Sequence, residues 1–165
     1  MKKRWIALYV ENEVGVLAKV SGLFAGKSYN LHSLTVGTTE DETVSRMTIG
    51  VKSDDVTFEQ IKKQLNRMVE VIKVMDLTDT STHMKEILYI KVLNVTPEER
   101  AEIFQIAQVF SADVVDIGVD SLLLETKAKE SKNNELIALV KSRFKRINVV
   151  RGGAVAIEAI STKSR

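Results

Sequence analysis

Side chains that commonly catalyse reactions or bind metals are scarce in this chain. It has two histidines, His32 and His83, which are far apart in sequence and outside any recognisable motif, and it has no cysteine. The lack of cysteine excludes disulfides, thiolate metal sites and cysteine nucleophiles. The chain also lacks the glycine-rich phosphate loop that ends in Lys-Ser/Thr and the Gly-x-Gly-x-x-Gly dinucleotide motif. We therefore expect no catalytic residues and no metal site.

The remaining candidates for chemistry have ordinary structural interpretations. His32 is expected at the start of a strand, and His83 in a solvated linker. Gly152-Gly153 follows the strand-like Val149-Val150, and without a phosphate-loop pattern around it this pair predicts a turn. An enzyme that turns over substrate alone therefore has little support in the sequence.

One basic stretch, residues 141–151, could contact an acidic partner. It contains no acid and five basic residues, Lys141, Arg143, Lys145, Arg146 and Arg151. Such a stretch is typical of a solvated helix end placed favourably against the helix dipole, but a protein partner and nucleic acid stay open. Nucleic acid is disfavoured because the net charge is only +2 and aromatic residues make up 5% of the chain, too few for a platform on which RNA bases stack.

The most informative segment is Glu11-Asn12-Glu13-Val14-Gly15-Val16-Leu17, which joins a predicted strand to a predicted helix. A helix N-terminus presents unpaired N–H groups and a partial positive charge, which suit a carboxylate. Gly15 lets a ligand approach the backbone closely, and Asn12 offers the donor and the acceptor that an amino acid needs. The same residues also fit an ordinary turn with Asn12 as the helix cap. Both interpretations stay open from these residues alone.

The elements around this segment predict a split βαβ unit in the first half of the chain. Trp5 to Val10 predicts a buried strand, and apolar residues at helical spacing follow it as a helix. A hairpin is predicted around the acidic turn Glu40-Asp41-Glu42. A second helix, with a capping box of Thr57 and Gln60, and a strand over residues 69–77 complete the unit.

The same order of elements recurs after the polar segment 78–83. We therefore predict an α+β protein of two ferredoxin-like (βαββαβ) domains, residues 1–77 and 85–165, with a linker at 78–84. In the second domain, Thr96-Pro97-Glu98-Glu99 predicts a capped helix start, and the last strand is expected over residues 154–160. Because domains this small bury proportionally little surface, we expect them to depend on a partner.

Several segments of the chain resemble one protein family. They are Val10-Glu11-Asn12-Glu13-Val14-Gly15-Val16-Leu17, Gly22-Leu23-Phe24, Tyr29-Asn30-Leu31, Ser33-Leu34-Thr35-Val36, Ser45-Arg46-Met47-Thr48-Ile49, Gln60-Ile61-Lys62-Lys63-Gln64-Leu65-Asn66 and Glu86-Ile87. With these segments, the overall length and the order of the two domains, the chain resembles the regulatory small subunits of acetolactate synthase (acetohydroxyacid synthase). The first domain of that family is an ACT domain, an amino-acid-binding module.

This resemblance implies a chain that is not an enzyme by itself. It would bind and activate the large catalytic subunit of acetolactate synthase, a transferase of branched-chain amino acid biosynthesis. The resemblance further implies that thiamine diphosphate, Mg and FAD lie on the catalytic subunit and that this chain holds no cofactor. It also implies feedback inhibition by valine, or by leucine or isoleucine, bound to the small subunit.

The resemblance implies a particular effector site as well. Sites in this family lie between the ACT domains of two small subunits, so a homodimer paired through the first domains is expected. The matching positions here are Asn12 and Gly15, with Val14, Val16 and Leu17 beside them and Asn30 contributed by the neighbouring chain. His32 departs from the family pattern near this site, where relatives often carry an acidic or other polar residue. Effector identity or affinity could therefore differ.

Three further expectations concern a partner-facing surface, the location of the protein and an alternative function. The turn Glu40-Asp41-Glu42 and the strand residues Ser45-Arg46-Met47 are predicted to face a protein partner, although an ordinary solvated hairpin fits equally well. The apolar run at the start breaks at Glu11-Asn12-Glu13, too early for a signal peptide or a membrane span, so a cytoplasmic protein is expected. The alternative function is a stand-alone ACT-domain sensor of amino acids that acts on another enzyme or on a transcription regulator.

Overall fold

The computed structural model describes residues 1–27 and 29–161, which form two compact units. One unit combines residues 1–83 with the chain from Ala154 onward, and the other contains residues 84–153. The predicted domain limits, 1–77 and 85–165 around a linker at 78–84, stay a prediction.

The first unit is a four-stranded antiparallel sheet with two helices. Its elements are β1 (Lys2–Glu11), α1 (Val16–Gly26), β2 (Leu31–Thr38), β3 (Val44–Ser53), α2 (Asp55–Leu65) and β4 (Val71–Asp76). The strand order is β2-β3-β1-β4, which is the arrangement of the split βαβ fold. The predicted hairpin is confirmed, since Val36 pairs with Met47 and Leu34 pairs with Ile49.

The second unit repeats this arrangement. Its elements are β5 (Thr82–Leu93), α3 (Pro97–Phe110), β6 (Asp113–Ile117), β7 (Ser121–Ala128), α4 (Glu130–Arg143) and β8 (Ile147–Glu158). The strand order β6-β7-β5-β8 matches that of the first sheet. The final residues of β8, from Ala154, group with the first unit. The predicted fold class, α+β with two βαββαβ sets of elements, is confirmed.

Each unit has its own apolar core. The first core contains Ile6, Leu8, Val10, Val16, Val20, Phe24, Met47, Ile49, Phe58, Ile61 and Leu65. The second contains Leu88, Ile90, Val92, Ile103, Leu122, Leu124, Leu136 and Val140. Successive residues of a strand point to opposite faces, so Trp5 and Tyr9 of β1 and Arg46 of β3 point away from the helices of the first unit.

Two predicted helix starts had different outcomes. The capping box of α3 is confirmed, because Thr96 and Glu99 cap each other's backbone N–H groups and Pro97 opens the helix. The box predicted for α2 is wrong. Asp54 is the N-cap there, and its side chain accepts a 2.7 Å hydrogen bond from the backbone N–H of Thr57. The carboxylate of Asp54 therefore starts the helix at Asp55, before the predicted cap.

Two other local predictions are also wrong. Gly152-Gly153 is not a turn but lies inside β8. A Cβ atom at Gly152 would lie 2.5 Å from Cγ2 of Ile87 on β5, so the glycine allows a close approach of neighbouring strands. His83 lies in a strand and not in an irregular loop, because β5 already begins at Thr82.

Candidate functional site

Helix α1 starts without the stabilising groups found at the other described helix starts. Its N-cap is Gly15, in the left-handed conformation with φ 88°, and no side chain caps the helix. Its first turn has no acidic residue, whereas Asp54 and Thr96 cap α2 and α3, and Glu130 lies in the first turn of α4. The start of α1 therefore presents N–H groups and a partial positive charge that suit an anion.

Asn12 follows the last residue of β1 and is held by three hydrogen bonds. Its backbone N–H donates to Thr43 O at 2.7 Å, and its side-chain Nδ2 donates to Glu42 O at 2.8 Å. Its Oδ1 accepts a bond of 2.9 Å from Ser45 Oγ. The amide keeps one N–H and one lone pair for a ligand. Asn12 is thus a fixed, exposed group, and it is not the cap of α1, because Gly15 occupies that position.

The turn between β2 and β3 places the two carbonyl groups that hold Asn12. Within it, Asp41 Oδ1 accepts hydrogen bonds from the Thr43 backbone N–H at 2.9 Å and from Thr43 Oγ1 at 2.6 Å. The side-chain and backbone bonds from Thr43 lower the pKa of Asp41 below its ordinary value. The carboxylate is therefore charged at neutral pH, and the turn stays closed around these bonds.

An open depression of about 590 Å³ surrounds Asn12. Its lining residues are Glu11, Asn12, Glu13, Glu42, Thr43, Val44 and Ile72. Ile72 of β4 is 57% exposed and adds an aliphatic surface to a rim of carboxylates. A depression of this composition suits a small molecule with a positive group and an apolar side chain.

The apolar residues predicted for the site lie at the start of α1. The side chains of Val14 and Leu17 are exposed, whereas Val16 is 3% exposed and packs in the core. Val16 can therefore offer a ligand only its backbone. None of these three residues, nor Gly15, lines the depression around Asn12, and their role as site residues stays a prediction.

Asn30 and Asn12 lie at opposite ends of β2. Thr38 at the end of β2 pairs with Ser45, the residue that contacts Asn12, and Leu31 at its start pairs with Val51. Asn30 immediately precedes Leu31, so about 23 Å of extended strand separates it from the depression. One ligand cannot contact both asparagines of the same chain. A site that uses both requires Asn30 from a second chain, as the family resemblance implies.

The charges around the loop favour a cationic group. Lys19 of α1 forms an ion pair with Glu70. The hydrogen bond to Glu70 and the charge of Glu70 raise the pKa of Lys19, and the charges of Glu13 and Glu11 raise it further. The bond from Lys19 lowers the pKa of Glu70 in turn. Since Lys19 pairs with Glu70, the charges of Glu11 and Glu13 are the ones that favour a ligand with an ammonium group at this loop.

The sequence did not reveal which residues hold the loop. In the sequence, Ser45 belongs to a family segment and to the predicted partner surface, and no family pattern indicates a role for Thr43 or Ile72. The Asp41-x-Thr43 spacing is a turn signature that could have indicated the closed turn. The contact between Ser45 and Asn12 instead depends on the register of β1 and β3, in which Val10 pairs with Ser45.

The predicted partner surface at Ser45-Arg46-Met47 is wrong for two of its three residues. Ser45 is 6% exposed and Met47 is 1% exposed, because this face of β3 packs under the helices. Arg46 points to the other face, and the turn Glu40-Asp41-Glu42 is exposed. Of the predicted surface, only that turn is fully available to a partner.

Acids from other elements neutralise part of the basic stretch 141–151. Arg151 donates from Nε and Nη2 to the two carboxylate oxygens of Glu86, each at 2.7 Å, and from Nη1 to Asn134 Oδ1 at 2.8 Å. Arg143 lies 3.6 Å from Glu102. These pairs favour a structural role for the stretch over nucleic-acid binding.

Other kinds of site find little support in the described residues. Within residues 1–27 and 29–161, no group of three or more His, Cys, Asp or Glu could hold a metal ion. His32 and His83 lie exposed in β2 and β5. None of the helices in this described part is long and apolar enough to cross a membrane.

Comparisons with known proteins cover both units. A family described as the AHAS small subunit-like ACT domain matches residues 6–73, and one described as the small subunit of acetolactate synthase matches residues 85–160. The chain is 42% identical to a probable acetolactate synthase small subunit of Archaeoglobus fulgidus, over 91% of this chain and 98% of the relative. It is 40% identical to the acetolactate synthase small subunit of Aquifex aeolicus, over 95% of this chain and 81% of the relative.

A solved structure agrees with these sequence matches. The crystal structure of the acetolactate synthase small subunit from Thermotoga maritima superimposes with a TM-score of 0.86 at 33% identity. The match covers 98% of this chain and 99% of that one, so the similarity extends over both sets of elements.

Proposed function

The chain belongs to the acetolactate synthase small subunit family, and from this premise we propose that it regulates the large catalytic subunit of that enzyme. It binds the catalytic subunit, raises its activity, and makes that activity sensitive to valine or a related branched-chain amino acid. The observation that carries the proposal is the loop between β1 and α1, where an anchored Asn12 precedes an uncapped helix start.

An α-amino acid fits the chemistry of this loop. Its carboxylate would accept hydrogen bonds from the N–H groups at the start of α1, where no atom from outside the adjoining backbone lies within 4 Å of the position a Gly15 Cβ would take. Its ammonium group would face the free lone pair of Asn12 Oδ1 and the acidic rim. Exposed aliphatic side chains, Val14, Leu17 and Ile72, supply apolar surface for the effector side chain.

The choice among branched-chain amino acids rests on small energy differences. An apolar surface discriminates by only about 1–3 kcal/mol per methylene, so valine, leucine and isoleucine are all candidate effectors. Valine is the first to test, because the family resemblance implies it.

Two copies of the chain complete the effector site in this proposal. Asn30 lies too far from Asn12 to meet the same ligand within one chain, so a homodimer paired through the first units brings Asn30 of one chain to the loop of the other. An effector bound between two chains favours the arrangement that it fits best, and this differential binding is what transmits the signal.

The catalytic chemistry belongs to the partner in this proposal. Thiamine diphosphate, Mg and FAD are held by the large subunit, and this chain holds no cofactor and works in the cytoplasm. Its contribution is to shift the equilibrium of the complex between active and inhibited arrangements.

The test is acetolactate formation by the large subunit of the same organism, measured with and without this chain across a titration of L-valine. We expect activation by the chain and loss of that activation as valine rises. Asn12→Ala should remove the valine response and keep the activation. Asn66→Ala is the matched control, since Asn66 is an exposed asparagine at the end of α2 whose side-chain Nδ2 donates to Lys62 O.

The outcomes separate the proposal from its alternative. No change in activity, with valine binding detected by calorimetry, would instead favour a stand-alone ACT-domain sensor with another client. No change in activity and no amino-acid binding would overturn both.

A further inference from the structure

Strand β8 carries one residue of each of two Arg–Glu ion pairs, and the two pairs differ in geometry. Arg151 binds Glu86 through two parallel hydrogen bonds, Nε to Oε1 and Nη2 to Oε2, both 2.7 Å. Glu158 is bound by Arg46 through one longer bond, Nη2 to Oε2 at 3.2 Å. The two-point geometry is the stronger one for an arginine and a carboxylate.

The single-point pair leaves one buried polar atom unsatisfied on each partner. Nε of Arg46 and Oε1 of Glu158 are both shielded from solvent and have no hydrogen-bond partner. These are the two atoms that a second bond of the Arg151–Glu86 type would join. Because unsatisfied buried groups are destabilising, the Arg46–Glu158 pair has a better-bonded arrangement within reach of a small movement.

Glu158 is the partner placed to make that movement. The guanidinium of Arg46 lies over the ring of Tyr9, with 5.3 Å between Cζ and the ring centroid, which fixes its plane. Glu158 is the last residue of β8 and lies four residues after Ala154, where the strand is firmly held. Ala154 accepts a 2.8 Å bond from Thr35 Oγ1 at its carbonyl and donates a 3.2 Å bond to Ser33 Oγ.

The Arg46–Glu158 pair is next to the candidate effector loop. Arg46 follows Ser45, whose hydroxyl holds Asn12. Adjacent strand residues point to opposite faces, so a shift of β3 at this point moves Asn12 on one face and the ion pair on the other. One short piece of strand therefore touches both the loop and the end of β8.

We propose that Arg46 and Glu158 are positioning residues that couple the effector loop to the end of β8 by changing between a one-point and a two-point pair. The inference rests on the proposed effector site and adds the route by which occupancy of that site moves another part of the chain. The effector favours one of the two arrangements, and the pair contributes a different free energy to each. Weakening the pair therefore changes effector affinity even though neither residue touches the effector.

The test is calorimetric titration of the full chain with L-valine, for wild type, Glu158→Gln, Arg46→Lys and the double variant. Lysine keeps the charge of Arg46 but cannot form the two-point pair. We expect each single variant to change the Kd for valine in the same direction, by about fivefold or more. The double variant should stay within about twofold of the single variants, because all three remove the same coupling.

Hydrogen exchange of residues 154–158 supplies a second reading that a purely structural role would not affect. In the wild type, exchange in this segment should change when valine is added, and in Glu158→Gln that change should be lost. Arg151→Lys is the control, because it weakens the other ion pair of β8. It should lower the melting temperature and leave the Kd for valine within about twofold of wild type.

The possible failures are distinguishable. If the folded wild type binds none of valine, leucine and isoleucine, the proposed effector site is overturned, and the proposed coupling is overturned as well. If the wild type binds valine and both single variants bind with unchanged Kd, the coupling alone is overturned. If Arg46→Lys binds valine with the wild-type Kd, the charge of residue 46 is sufficient and the two-point geometry is not needed. That result also overturns the proposal.

Discussion

Ser45 Oγ donates a hydrogen bond of 2.9 Å to Oδ1 of Asn12, and this bond joins strand β3 to the loop that precedes helix α1. Ser45 is 6% exposed, so water competes weakly for it. The bond fixes the rotamer of Asn12 and the orientation of its amide. A loop with a fixed amide loses less conformational entropy when it binds a ligand.

Replacing Ser45 by alanine should therefore weaken effector binding without unfolding the chain. The change removes one hydrogen bond and frees the amide of Asn12 to rotate. We expect a loss of about 1 kcal/mol, or about fivefold in the Kd for valine measured by calorimetry.

Ser53→Ala is the matched control for Ser45→Ala. Ser53 lies at the other end of β3, is 4% exposed, and its hydroxyl has no hydrogen-bond partner. Its removal should leave valine binding unchanged and stability equal or higher. An equal loss of affinity in both variants would show that Ser45 supports the strand in general rather than Asn12.

Valine binding should survive asparagine at Gly15 much better than aspartate. The φ of Gly15, 88°, is a conformation that asparagine and aspartate adopt more readily than other side chains, so both variants carry a similar backbone strain. Aspartate alone would place a carboxylate against that of the effector. We expect Gly15→Asp to weaken valine binding about 100-fold or more and to abolish feedback while largely sparing activation of the large subunit.

Gly15→Asn measures the strain and the bulk without the charge. It should bind valine more weakly than wild type but at least about tenfold more tightly than Gly15→Asp. Equal affinities in the two variants would mean that the effector carboxylate does not lie at the start of α1.

The features that the sequence predicts well are those set by neighbours along the chain. The cap of α3 depends on Thr96, Pro97 and Glu99 alone, and the structure has it as predicted. The start of α2 shows the limit of this reasoning. Both Asp54 with Thr57 and Thr57 with Gln60 fit a capping pattern, and the structure uses Asp54, which directly follows the end of β3 at Ser53.

The features that the sequence misses depend on partners brought together by strand register. Gly152 belongs to β8 because Ile87 of β5 needs the space of its missing side chain, which no local pattern indicates. The bond from Ser45 to Asn12 likewise follows from the pairing of Val10 with Ser45. The loop segment could thus be identified from its residue types, whereas the groups that hold it could not.

Acid should destabilise the second unit through Glu86. Burial opposes the charge of this carboxylate, but hydrogen bonds from Arg151 and Asn133 outweigh burial and lower its pKa below the ordinary value. A carboxylate whose pKa is lower in the folded chain than in the unfolded chain stabilises the fold fully at pH values above its unfolded pKa, about 4.3. That contribution is lost as the pH falls through the folded pKa. Stability should therefore decrease on acidification below about pH 5.

Glu86→Gln tests this assignment. We expect a loss of about 2 kcal/mol at pH 7 and a flatter dependence of the unfolding free energy on pH in the acid range, measured by urea denaturation. Glu135→Gln changes an exposed carboxylate on α4 and should reproduce the wild-type curve. If Glu86→Gln loses stability on acidification just as the wild type does, other carboxylates cause that loss of stability.

Alanine at Gly152 should destabilise the chain through contact with Ile87 alone. The added Cβ would lie 2.5 Å from Ile87 Cγ2 but 3.5 Å from the Ile87 carbonyl oxygen, so the side chain is the obstacle and the backbone is not. Overpacking of this kind costs about 1–3 kcal/mol. The measurement is urea denaturation of Gly152→Ala, Ile87→Ala and the double variant. We expect the double variant to be about 1 kcal/mol more stable than the two single effects add up to. Gly37→Ala is the control on β2, because apart from its chain neighbours no residue lies within 4 Å of its added Cβ, and it should change stability by less than about 0.5 kcal/mol. Additive effects of the first two changes would mean that Gly152 is needed for its backbone conformation and not for the space that Ile87 occupies.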